Sequence, residues 1–201
     1  MTKIKLCGLG RPCDIEWANA LMPDYIGFVF AQKSKRNVSP ERAKALREGL
    51  DSNIRAVGVF VNEASEAVAD LLNTGVIDMA QLHGGEDEEY IEALRGLTDK
   101  PLIKAFRVDG PADLEKARRS SADYVLLDNG AGGTGTAFDW ALLKGFDRPY
   151  FLAGGLGPGN VRQAIRTLDP FAVDVSSGIE TNGSKDYMKM SAFVNAARHE
   201  E

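Results

Sequence analysis

The feature that most constrains this chain is an alternation. Eight short apolar runs, at residues 3–7, 25–30, 55–61, 78–83, 102–106, 124–128, 150–153 and 171–175, recur along 201 residues, with helical segments between them. The runs are rich in Val, Ile, Leu and Phe and lack clean in-and-out alternation, as expected of strands covered on both faces. Ser39-Pro40-Glu41 sets a capping Ser before a first-turn Pro and an acid. Within 63–73, Ala64, Ala67, Val68, Leu71 and Leu72 form one stripe, and Gly75 is the stop. Tyr90, Ile91, Leu94 and Leu97 make a second stripe, and Val161, Ala164, Ile165 and Leu168 a third. Strands joined by helical crossovers run parallel, which leaves an open doubly wound sheet or a closed barrel of eight strands. The count of eight favours the barrel, near its lower size limit of roughly 200 residues. Nothing in the composition divides the chain, so one α/β domain over 1–201 is expected.

Composition narrows the function classes. With 24 basic residues against 29 acidic ones, net −5 and unblocked, the chain has no basic face for nucleic acid. Its two cysteines, Cys7 and Cys13, make neither a disulfide framework nor a zinc-ligand pair. No apolar run approaches the roughly 18 residues of a membrane span, and the first residues carry no signal-peptide core. A cytoplasmic protein is expected, with neither nucleic acid nor membrane as a partner. A monomer is the expectation for its assembly, with a dimer left open.

Polar residues inside the strands point to a site. Lys5 precedes Cys7 by two positions, Gln81 precedes His83, and Asp174 precedes Ser176. Period two puts each pair on one face. If that face lines a barrel, these residues climb toward the C-terminal mouth, where barrel active sites sit. Lys5 and Asp174 could equally satisfy each other as a core ion pair.

Two glycine-rich regions follow strand ends. The run 130–135, Gly-Ala-Gly-Gly-Thr-Gly, fits a dinucleotide fingerprint formally, but the acidic residue about 20 positions on is missing, and the next helix starts only near Asp139. It is read as a loop able to cover the mouth. Gly154 and Gly155 end the seventh run, and Ser176, Ser177 and Gly178 end the eighth. Exposed backbone N–H groups and serine hydroxyls suit an anion, and barrels often build a phosphate seat from these two loops.

Cys7 and Asp128 end the first and sixth runs, far apart around a ring of eight, so a base and an acid there can address a substrate from opposite sides. A nearby cation such as Lys5 is expected to favour the Cys7 thiolate, and partial burial to keep Asp128 protonated. Lys33-Ser34-Lys35-Arg36 follows the second run, and one of its cations, Arg36 by its planar fork, can clamp a carboxylate. His83 reads either as a titrating mouth residue or as a hydrogen-bonded wall residue. Cys13 reads as structural.

Jointly, these blocks resemble phosphoribosylanthranilate isomerase. They are 5–9 (Lys-Leu-Cys-Gly-Leu), 27–30 with 33–36, 58–62, 81–84, 127–128 with 132–135 and 138–140, 154–156 with 160–161, and 174–180 with Lys185-Asp186. They stand in family order over nearly the whole chain. The resemblance implies a (β/α)8 TIM barrel and a step of tryptophan biosynthesis. That step is the cofactor-free Amadori rearrangement of N-(5-phosphoribosyl)anthranilate to the carboxyphenylamino-deoxyribulose phosphate. It implies Cys7 as general base and Asp128 as general acid. Arg36 becomes the clamp for the anthranilate carboxylate, and Asp174 a substrate contact. Gly154, Gly155, Ser176, Ser177 and Gly178 become the phosphate loops. No metal is implied. Gly10 stands where Thr is usual in the family, and Cys13 where an acid is expected. The competing readings are another phosphosugar barrel of tryptophan or histidine biosynthesis and a catalytically silent phosphometabolite-binding barrel. The histidine isomerase would carry aspartates at strands one and five, where this chain has Cys7 and Phe106; a silent barrel would lack Cys7 or Asp128.

Overall fold

The computed structural model describes residues 1–128 and 140–198. Eight parallel strands close into a barrel in the order β1 to β8, with β1 paired to both β2 and β8. They are β1 (Lys3–Cys7), β2 (Tyr25–Val29), β3 (Arg55–Phe60), β4 (Met79–Leu82), β5 (Leu102–Arg107), β6 (Tyr124–Asp128), β7 (Tyr150–Ala153) and β8 (Ala172–Val175). The helices are α1 (Pro12–Leu21), α2 (Pro40–Glu48), α3 (Ser65–Asn73), α4 (Glu88–Arg95), α5 (Pro111–Arg119), α6 (Val161–Leu168) and α7 (Tyr187–Arg198). After β6, where a helix was expected near Asp139, the described residues hold only a 3-10 turn, Trp140–Leu143. The glycine-rich run 130–135 lies outside the described residues.

Local chemistry sets the helix ends. Ser39 Oγ accepts from Arg42 N at 3.2 Å and caps α2, and Asp87 does the same for α4. Gly75 takes φ +75 just past α3, as a stop glycine should. Leu97, expected on the α4 stripe, falls beyond the helix and is 44% exposed, because the chain turns away at Gly96. Asp14, the residue after Cys13, caps the start of α1: its carboxylate accepts from the backbone N–H groups of Gly10 and Arg11 and from the Arg11 side chain.

Two apolar layers result. The larger lies between strands and helices. The smaller fills the lower half of the barrel with Tyr25, Val57, Met79, Ile103, Leu126, Phe151 and Ala172. There Phe151 meets Tyr25, Tyr124 and Phe171 edge-on, at centroid distances of 5.4, 5.9 and 5.6 Å. Truncating a ring packed this way typically costs about 3–5 kcal/mol. The barrel is thus plugged from below, and functional residues have only its upper half.

Candidate active site

Above the apolar plug the barrel turns polar. Lys5 is fully buried, and its ammonium donates to Asp174 Oδ1 at 2.9 Å across the paired strands β1 and β8. The core ion pair weighed from sequence is therefore present, and it forms the floor of the mouth cavity, because Asp174 also lines that cavity. One residue pair further up, β1 delivers Cys7 into the same space. Gly27, opposite Cys7 in the register of β2, leaves room for the thiol: a Cβ there would come within 2.6 Å of Sγ.

The mouth cavity has a volume of about 270 Å³. Cys7, Asp128, Arg36 and Asp174 line it together with Gly154, Gly155, Ser176 and Ser177. Gly178 does not. It packs against the preceding loop, where a Cβ would fall 2.0 Å from the Leu156 carbonyl oxygen, so its lack of a side chain lets the seventh and eighth loops close together. Gly154 and Gly155 both have left-handed φ, +90 and +67, which side chains resist.

Burial sets the electrostatics of Cys7 against the sequence expectation. Desolvation pushes the thiol up. The nearby ammonium of Lys5, which also hydrogen-bonds to Cys7, and that of Lys185 pull it down, while Asp174 opposes them. The net direction is upward, so Lys5 favours the thiolate without overcoming burial. Lys5 itself is held above its ordinary value: burial works to lower it, and Asp174 and Cys7 outweigh that.

Asp128 stands at the end of β6 with His83 Nε2 3.6 Å from its Oδ2. Gln81 Nε2 lies 2.8 Å from His83 Nδ1, which joins Gln81, His83 and Asp128 in a row along the mouth wall. His83 is thus a hydrogen-bonded wall residue that also faces Asp128. Arg36 reaches the cavity, but its fork is already engaged: Nε and Nη2 donate to the two carboxylate oxygens of Glu180, at 2.6 and 2.8 Å. Lys33 and Lys35 are exposed, and Cys13 is half-buried in α1.

Two supports escaped the sequence reading. Glu180 and Lys185 face each other on a small hairpin, β9 (Glu180–Thr181) and β10 (Ser184–Lys185), directly after the eighth loop. The pair Asn182-Gly183 between them is a hairpin turn signal that could have exposed them. Three residues after His83, Glu86 accepts from Gly84 N, Asn62 N and Lys104 Nζ at 2.7–2.9 Å, tying the third and fourth loops to β5. No described helix is long and apolar enough to cross a membrane.

Known proteins resemble this chain in sequence and in fold. The family model for N-(5'phosphoribosyl)anthranilate (PRA) isomerase matches residues 4–196. An N-(5'-phosphoribosyl)anthranilate isomerase from Thermoanaerobacter sp. (strain X514) is 47% identical over 204 residues, covering 98% of each chain. The crystal structure of phosphoribosyl anthranilate isomerase from Thermotoga maritima superposes with a TM-score of 0.88 at 37% identity, over 98% of this chain and 99% of that one. A further isomerase structure, in complex with reduced 1-(o-carboxyphenylamino)-1-deoxyribulose 5-phosphate, gives 0.86 at 36% identity, over 98% and 99%. With its barrel and nearly its full length matched, the chain belongs to the N-(5'-phosphoribosyl)anthranilate isomerase family.

Proposed function

We propose that this chain converts N-(5-phosphoribosyl)anthranilate to 1-(2-carboxyphenylamino)-1-deoxyribulose 5-phosphate in tryptophan biosynthesis, by general acid–base catalysis. One observation carries the reading: Cys7 and Asp128 line a single cavity together with the glycine and serine loops suited to a phosphate. In this reading Gly154, Gly155, Ser176 and Ser177 hold the phosphate, with Gly178 closing the seat. Arg36 meets the anthranilate carboxylate, and Asp174 contacts the sugar.

In this reading the steps are proton transfers between these groups and the substrate. Asp128 gives a proton to the furanose ring oxygen, the ring opens, and the nitrogen lone pair forms a Schiff base. Cys7, as thiolate, removes the proton from C2. The resulting enolamine tautomerises to the ketone. The rearrangement is redox-neutral and runs by proton transfers, so no cofactor enters the proposal. Because burial holds the Cys7 thiol up, the thiolate fraction, and with it kcat/KM, climbs as pH rises toward the alkaline range.

The test is a fluorescence assay following consumption of freshly generated phosphoribosylanthranilate. Cys7→Ala and Asp128→Asn should each lower turnover by at least ~100-fold with the fold intact. Near-normal turnover in either purified variant removes that residue from the mechanism, and no turnover by the wild type removes the reaction.

A further inference from the structure

Neither Glu180 nor Lys185 lines the mouth cavity, yet their hydrogen bonds reach Arg36 and Ser176, which do. The turn joining β9 to β10 needs left-handed backbone at both central residues, and Asn182 and Gly183 supply it with φ +53 and +78. That turn sets Lys185 opposite Glu180 in the hairpin register. The Lys185 side chain is only 2% exposed. Its ammonium donates to Glu180 Oε1 at 2.6 Å, Ser176 O at 2.9 Å and Ser176 Oγ at 3.3 Å. Three donors thus meet three acceptors. Glu180 uses the same Oε1, and Oε2, to grip Arg36. Ser176 Oγ in turn donates to the Cys7 carbonyl oxygen at 3.2 Å. One continuous row therefore runs from Arg36 through Glu180, Lys185 and Ser176 to the backbone of Cys7.

A buried ion pair of this kind is a poor source of stability, since desolvation offsets most of its attraction. What it supplies is direction. With Nε and Nη2 committed to Glu180, the Arg36 fork offers a ligand its Nη1 side. Lys185 meanwhile fixes both the carbonyl and the hydroxyl of Ser176, which lines the cavity at the phosphate loops.

We propose that Glu180 and Lys185 are positioning residues that join the carboxylate clamp to the phosphate seat. The Glu180 carboxylate aims Arg36, and the Lys185 ammonium carries that placement to Ser176. Substrate held at both ends is thereby aligned as one body over Cys7. This assignment deepens the function proposed above and rests on it for the identity of the two ends.

The test titrates purified wild type, E180Q, R36M and the double variant with two fragments, anthranilate and inorganic phosphate, each alone. E180Q should weaken both fragments by roughly 10-fold, the scale of a lost charged hydrogen bond. R36M should weaken anthranilate and spare phosphate. The double variant should bind anthranilate no worse than R36M, because Glu180 acts through Arg36. In turnover, E180Q should raise KM with little change in kcat, whereas a purely structural residue would lower the active fraction at unchanged KM. Unchanged phosphate affinity in E180Q, or additive effects of E180Q and R36M on anthranilate, overturns the proposal. If E180Q does not fold, E180D, which keeps the charge but shortens the reach by a methylene, is titrated in its place and judged by the same outcomes. Fragment binding needs no turnover. A wild type that binds both fragments without isomerising the substrate would sink the functional reading and leave the positioning role standing.

Discussion

Replacing Lys5 by Met removes the ammonium from the cavity floor while keeping most of the side-chain volume. Two consequences follow from the geometry. The Asp174 carboxylate, 8% exposed and paired with Lys5 at 2.9 Å, is left as a buried charge without its counter-ion. Breaking a buried pair on one side typically costs about 3–5 kcal/mol. For a chain of 201 residues that is a fall of roughly 6–20 °C in Tm. Cys7 also loses the cation that most favours its thiolate, so its thiol moves further up and the rising limb of kcat/KM shifts to higher pH. Removing the second charge separates the two effects. K5M/D174N should recover most of the stability, because no unpaired charge remains. It should not recover the pH profile, because the pull of Lys5 on Cys7 exceeds the push of Asp174. The assays are thermal unfolding by circular dichroism and kcat/KM against pH. A K5M enzyme with wild-type Tm and a wild-type pH profile would refute the claim that this ammonium both neutralises the floor and biases the thiol.

Other outcomes follow from the same contacts. Burial favours the neutral form of Glu180, but hydrogen bonds from Arg36 and Lys185 prevail and hold its carboxyl at about 2, against 4.5 ordinarily. Its folded value is depressed, so its contribution is fully present above pH 4.5 and is lost as pH falls toward 2. Urea unfolding of E180Q should show a flatter acid limb in that window than wild type, and identical slopes would count against the pairing. Gly178→Ala would drive a Cβ to 2.0 Å from the Leu156 carbonyl, so the two loops must part. Its inorganic phosphate affinity should drop with the barrel still folded, and undiminished affinity would show that loop closure does not build the seat. Glu86→Gln leaves the Lys104 ammonium without its carboxylate, which is 1% exposed, and should cost about 3 kcal/mol in urea midpoint experiments. An unchanged midpoint would mean that the fourth loop is held by other contacts.

The strands were readable because a buried parallel strand needs an apolar run, and that need shows in one dimension. β1, β6 and β7 have the expected bounds, and the others differ by one or two residues at their ends. The polar climb from Lys5 to Cys7 was readable for the same reason, since period two is a property of the chain itself. Contacts between distant segments were not. Arg36 and Glu180 are 144 positions apart, and nothing near Arg36 shows that its fork already holds a carboxylate. The net direction of Cys7 was misjudged because it depends on how completely the thiol is enclosed, a property of the closed ring and not of its neighbours in sequence. The turn after β6 departs from the expected helix, and the sequence around Trp140 carries no apolar stripe long enough to have argued for one.

The plug of Tyr25, Phe151 and their neighbours makes the barrel a vessel with one opening. Among the described residues, the layer below Lys5 and Asp174 is built of apolar side chains. In the proposed reaction, the hydrogen ion lifted from carbon is therefore expected to leave by the mouth through which the substrate enters. Traffic of hydrogen between substrate and bulk solvent should then depend on occupancy of the mouth, with the floor acting as a seal.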